Sequence, residues 1–248
     1  GLPLEYSKVS GPVTLSDNLV YVEGAGEAVI RVSQEGDADY HPSEQEVRFT
    51  IAKAAQQIKV PSIGEKTFGD EAFSIGATAS SGLAVNLELK QGKASLSNQW
   101  LTIEGAGIVE LLATRPGNEN YEDAPSQTIR FEIAKAQQQI SWAEIPDQLF
   151  GVDALSLQAT SSAGLPVSYE VLAGNASIDN NRLRIDGAGS VELQAIQPGD
   201  DDYEAAPTVE QTINVAKAPQ TLFFDEIFDQ EYSEEPLTLE ASSDAGLP

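Results

Sequence analysis

Five separate phrases of this chain recur at one spacing of about 82 residues, and that period constrains the fold more than any other feature. Gly-Leu stands at Gly1, Gly82, Gly164 and Gly246, at spacings of 81, 82 and 82. Gly-Ala-Gly stands at residues 24–26, 105–107 and 187–189, and a polar Gly loop ends in Tyr at Tyr40, Tyr121 and Tyr203. Ala-Lys-Ala is centred on Lys53, Lys135 and Lys217, and Phe68, Phe150 and Tyr232 form the fifth series. A unit of this length exceeds the 20–50 residues of a solenoid repeat and suits a small domain that buries its own core.

Within a unit the apolar residues alternate with polar ones. Leu155, Leu157 and Ala159 alternate with Ser156 and Gln158. Val167, Tyr169 and Val171 alternate with Ser168 and Glu170, and Val191, Leu193 and Ala195 with Glu192 and Gln194. Period two marks strands with one face on a core. Asn180-Asn181 separates two such runs, and Asn tolerates the positive φ of a tight hairpin. No segment carries an apolar stripe of helical period. About seven short strands per unit predict an all-β chain of tandem immunoglobulin-like β-sandwiches without the cysteine pair.

From Phe131 to Ile140 the passage between units contains neither Gly nor Pro. An extended, non-Gly/Ser linker restrains neighbouring units, so the array is expected to form an elongated, semi-rigid rod. Taking Ala-Lys-Ala as the boundary predicts a partial repeat at 1–54, complete repeats at 55–136 and 137–218, and the first strands of a further repeat at 219–248. The partial repeat lacks its first strands, which exposes Val20, Val22, Ile30 and Val32. Residues 221–224 and 237–239 are strands of the missing kind. Either they belong to a window of a longer chain, or one molecule donates them to the next.

The phrases Lys66-Thr67-Phe68-Gly69-Asp70, Gly164-Leu165-Pro166-Val167, Gly117-Asn118-Glu119-Asn120-Tyr121 and Ala134-Lys135-Ala136 resemble the YGX-type MBG domain, an Ig-like module of bacterial surface proteins. Phe150-Gly151-Val152 keeps the glycine of that pattern and loses the acid, whereas Tyr232-Ser233-Glu234 loses the glycine. The resemblance implies tandem modules in a large secreted adhesin or stalk, with no catalysis of their own.

Composition then narrows the chemistry. With 14 Lys+Arg against 39 Asp+Glu, the net charge of −25 repels phosphate backbones and anionic membranes, which argues against nucleic-acid partners and membrane insertion. No apolar run reaches the eighteen or so residues of a membrane span, and no signal peptide is read at Gly1. There is no Cys, and the single histidine, His41, sits where the other copies have Glu122 and Glu204. Nucleophilic dyads and zinc sites therefore lack their usual residues. A glycosidase carboxylate pair would require a cleft, and none is legible.

The remaining candidates are oxygen-rich. Asp37, Asp39, Asp200, Asp201 and Asp202 fall in equivalent loops and are the residues available to Ca²⁺. The same loops have Asx-turn chemistry that needs no metal, and no cofactor is expected. Their Tyr is expected at a corner, ring on the core and hydroxyl on backbone. Trp100 and Trp142 are candidates for stacking on a sugar, although Trp142 aligns with Val60 and Phe224, and Trp100 with Leu19 and Arg182. The reading favoured is a non-catalytic extracellular stalk at a bacterial cell surface. Its partners are neighbouring repeats of the same or an identical chain. The alternative is a module that itself binds glycans or Ca²⁺.

Overall fold

The computed structural model describes residues 2–232 and 235–246. Gly1 and Leu247 of the Gly-Leu series, and Ser233 and Glu234 of the Tyr232 phrase, lie outside them. The described residues contain strands, turns and bends but no helix. The chain divides into two compact units, Gly1–Ala136 and Gln137–Pro248.

The segment 55–136 forms a two-layered β-sandwich. One layer is a four-stranded sheet ordered Asn86–Gln91, Gly107–Thr114, Gln127–Ala134 and Lys66–Thr67, antiparallel except for the last pair. The opposing layer joins Ala94–Ser97, Trp100–Ile103 and Phe73–Ser74, and the short pair Ile58–Lys59 with Thr78–Ala79. The nine segments amount to seven strands, because the first two are each broken. The first pairs with Thr78–Ala79 through Ile58–Lys59, then crosses to the other sheet through Lys66–Thr67. Between Phe73–Ser74 and Thr78–Ala79, Gly76 at φ +67° interrupts the second. Residues 137–218 repeat this pattern, with the sheet order Gln148–Leu149, Val209–Ala216, Gly189–Ile196, Ser168–Ala173. These are tandem immunoglobulin-like β-sandwiches.

Alternation in sequence becomes alternation in burial. Val109, Leu111 and Ala113 are fully buried, as are Val191, Leu193 and Ala195 in the next copy. The first core draws only on residues between Ile58 and Ile133 and the second only on residues between Trp142 and Val215. Asn180 and Asn181 take φ of 47° and 59°, the left-handed turn that ties Asp179 to Arg182.

One repeated device escaped the sequence reading. The first long strand of each sheet carries a bulge, between Lys8 and Ser10, Leu89 and Gln91, and Val171 and Ala173. Gly11, Gly92 and Gly174 follow the bulges at φ of 100–117°. A β-carbon on Gly174 would lie 2.3 Å from the Ser190 carbonyl oxygen, so only glycine lets the strand leave the sheet there.

Residues 2–54 form a three-stranded sheet, Glu5–Ser10, Gly26–Gln34 and Ser43–Ile51, and a hairpin of Val13–Ser16 with Leu19–Val22. No strand of this segment corresponds to 58–79. Val22 is 59% exposed, whereas its equivalents Ile103 and Ile185 are half-buried and buried. Val20 is exposed, and Ile30 and Val32 are half-buried where Leu111 and Ala113 are sealed.

Candidate functional site

The acidic loops are built the same way in every copy. The Asp37 Oδ1 accepts the amides of Asp39 and Tyr40 at 2.8 and 2.9 Å. Asn118 Oδ1 accepts those of Asn120 and Tyr121, both at 2.9 Å, and Asp200 Oδ1 accepts those of Asp202 and Tyr203, both at 2.8 Å. In return the first residue's amide donates to the Tyr carbonyl, in Asp37–Tyr40, Asn118–Tyr121 and Asp200–Tyr203, at 3.0–3.1 Å. An amide side chain serves at 118 where carboxylates serve at 37 and 200. What repeats is therefore an acceptor oxygen bonded to backbone, the Asx turn, and not a charge. Among the described residues no group of three or more His, Asp or Glu is placed to hold a metal ion.

Tyr40 is 70% exposed, so in that copy the ring does not rest on a core as expected, whereas Tyr121 and Tyr203 are half-buried. The Tyr carbonyl is the repeating element. Outside these loops, the Tyr169 hydroxyl accepts the Ala159 amide at 2.6 Å while its ring lies against Trp142 with centroids 5.4 Å apart. Trp142 thus packs on the second core. Trp100 stands exposed, as Leu19 and Arg182 do at its position, and His41 is exposed.

The turn holds the entering linker. In the unit Gly1–Ala136, Ala54 runs parallel to Tyr121. Its amide donates to the Asn120 carbonyl at 2.9 Å, and its carbonyl accepts the Glu122 amide at 3.0 Å. Two residues on, Gln56 enters the interior. Its Nε2 donates to the Glu122 carbonyl at 2.7 Å, and its Oε1 accepts the Ser81 hydroxyl at 2.6 Å. Gln138 repeats this with the Glu204 carbonyl at 2.7 Å and the Ser161 hydroxyl at 2.5 Å, and adds Gln197 Oε1 at 2.6 Å. Both glutamines are buried, and each caps loop carbonyls that would otherwise be dry and unpaired.

The same loop reaches backwards. Asn120 Oδ1 accepts the Ala25 amide at 2.8 Å, 95 residues away. A β-carbon on Gly24 would stand 2.7 Å from that oxygen. Gly24 is thus the space into which the next repeat's loop fits.

Comparison with known proteins is spare. No family model matches the chain, and no curated protein does. Among solved structures the chain is similar to mouse protocadherin-24 EC1-3 at 13% identity, covering 88% of this chain and 90% of that one, with a TM-score of 0.36. It is similar to Drosophila N-cadherin EC1-4 at 13% identity, covering 88% and 66%, with a TM-score of 0.31. The S-layer protein rSbsC(31-844) matches at 10% identity over 91% of this chain and 37% of that one, with a TM-score of 0.29.

Proposed function

We propose that this chain is a non-catalytic array of Ig-like repeats, of the YGX-type MBG kind, that serves as a stalk in a large bacterial surface adhesin or filament. The layout is a partial repeat at 1–54, complete repeats at 55–136 and 137–218, and the first strands of another at 219–248. The observation that carries this reading is the joint at Ala54. A linker laced through two backbone bonds, with Asn120 also bonded to Ala25, restrains the two segments it connects. Flexible tethers have no such lacing.

The loops repeat their turn chemistry and vary in charge, as expected of a spacer that needs only its turns and its core. The acidic surface suits an extracellular setting with salt to screen it, and discourages edge-to-edge pairing of neighbouring repeats. Among the described residues no helix is long and apolar enough to cross a membrane. Small-angle scattering of the chain tests the stalk. A rod is expected in which each repeat adds roughly 35–45 Å, from strands of six to eight residues at about 3.3 Å each. A compact, globular profile would contradict it.

A further inference from the structure

Trp100 occupies an exposed sheet position that the fold fills equally well with Leu19 or Arg182 in the other copies. It lies in the central strand of the sheet Ala94–Ser97, Trp100–Ile103 and Phe73–Ser74, opposite Ser97 on one side and Ser74 on the other. From this sheet Leu101, Leu96 and Phe73 pack on the core. The alternate residues Ser74, Ser95, Ser97, Trp100 and Thr102 therefore share the outer face, and all five are exposed. The largest of them, Trp100, leaves 57% of its surface bare.

The corresponding face of residues 137–218 is closed on itself. Ser177, Asp179, Arg182 and Arg184 take the places of Ser95, Ser97, Trp100 and Thr102. There Arg184 and Ser177 donate to Asp186 at 2.6 and 2.8 Å, Arg182 donates to the Ala154 carbonyl at 2.9 Å, and Asn180 donates to Asp179 at 3.0 Å. Around Trp100 none of the five residues is charged, and among the described residues their four hydroxyls and the indole N–H take no hydrogen-bond partner. An aromatic face bordered on both neighbouring strands by free hydroxyls matches a sugar ring. The ring's C–H face lies on the indole, and its rim hydroxyls meet groups that both donate and accept. Strands about 4.8 Å apart and residues about 3.3 Å apart make the platform roughly 10 by 7 Å, room for one or two sugar rings.

We propose that this face binds a neutral β-1,4-linked glucan, with Trp100 stacked on one ring and Ser74, Ser97 and Thr102 bonding its hydroxyls. The flat platform selects the sugar, because a β-linked glucose ring carries its substituents equatorially and offers a bare C–H face. Charge selects it again. A net charge of −25 repels acidic polysaccharides, and an uncharged patch on such a chain suits an uncharged polymer. The site lies on one repeat and does not depend on the stalk reading, so a rod that binds no glucan rejects this site alone.

The test is a titration of the isotope-labelled 248-residue chain with cellotetraose, followed by NMR. The chain has two tryptophans, so two indole N–H resonances serve as reporter and internal control. The Trp100 resonance should shift saturably with a Kd of about 0.1–2 mM, the affinity of a small single-ring contact, while that of Trp142 stays in place. Trp100→Arg and Ser97→Asp each install the residue that the next repeat carries at that position, so the fold tolerates both. Each should weaken binding about tenfold or more and leave the melting temperature within about 3 °C of the parent. The same tetrasaccharide oxidised to carboxylates at C6 should bind at least about tenfold more weakly at low salt. No saturable shift at Trp100 up to ~10 mM sugar, a shift centred on Trp142, or binding that survives both substitutions would overturn the proposal. Equal or tighter binding of the carboxylated chain would overturn it as well.

Discussion

The side-chain oxygen of Asn120 lies 2.8 Å from the amide of Ala25, and the same residue's carbonyl receives the amide of Ala54. One residue thereby bonds both the hairpin end of the preceding segment and the linker that leaves it. Gly24 eases this approach, because a β-carbon there would stand 2.7 Å from that oxygen and force one of the two to shift. A net bond of this kind is worth about 1 kcal/mol, too little to fold a domain and enough to bias the orientation of two folded ones.

The buried glutamines should dominate the stability of their loops. Gln138→Ala removes the donor to the Glu204 carbonyl and the acceptor for the Ser161 hydroxyl. Leaving these groups buried and unpaired should cost about 2–3 kcal/mol, or a melting shift on the order of 10–20 °C for a repeat of this size. Calorimetry checks this, and a shift under about 3 °C would show that water replaces the side chain readily.

A swap between copies gives a sharper test. The hydroxyl that meets Gln56 comes from Ser81, whereas the one that meets Gln138 comes from Ser161. Ser161 corresponds to Ala79 and Ser81 to Ala163, so the two repeats supply one hydrogen bond from positions two residues apart. Ser81→Ala should destabilise its repeat by about 1–2 kcal/mol, and adding Ala79→Ser should restore most of it. Failure of the second change to rescue the first would mean the Ser81 hydroxyl acts elsewhere.

The fold was legible because strands need only alternation and turn residues, both local in sequence. Asn180-Asn181 and the Val191, Leu193, Ala195 face were read on that basis. The polar joints were not legible in the same way. Gln56 and Gln138 look like surface residues until the loop carbonyls they cap, 66 residues on, are placed beside them. Asn120 and Gly24 meet only across two successive repeats, a relationship that no local pattern encodes. The aspartate loops were visible as sites of oxygen, but which partner their oxygens take depends on backbone geometry.

If those loops are turns, Ca²⁺ or a chelator at constant ionic strength should leave the melting temperature nearly unchanged. Asp37→Asn should be equally silent, since Asn118 already performs the same task with an amide. A chelator-induced drop of more than about 5 °C would establish a bound cation, because a saturating ligand adds several kcal/mol.

Acid should loosen one hairpin locally. The Arg184 guanidinium donates to Asp186 at 2.6 Å and the Ser177 hydroxyl at 2.8 Å, which together hold this carboxyl below its ordinary value of 3.8. A depressed folded value means the contribution is present above 3.8 and is lost as pH falls through the folded value. A carboxyl-detected NMR titration should place Asp186 below 3.8, and Arg184→Ala should move it back toward that value. A wild-type midpoint at or above 3.8 would contradict the pairing.

The joint itself is open to direct measurement, helped by the absence of cysteine from the chain. Spin labels at Thr14→Cys and Ser95→Cys, both on exposed strand positions either side of Ala54, report the distance between the two segments by pulsed electron resonance. A laced joint predicts a single narrow distance peak that broadens when Asn120→Ala or Gly24→Ala is added. A broad distribution in the otherwise unaltered chain, unmoved by either change, would show that the segments swing freely and that the stalk reading is wrong.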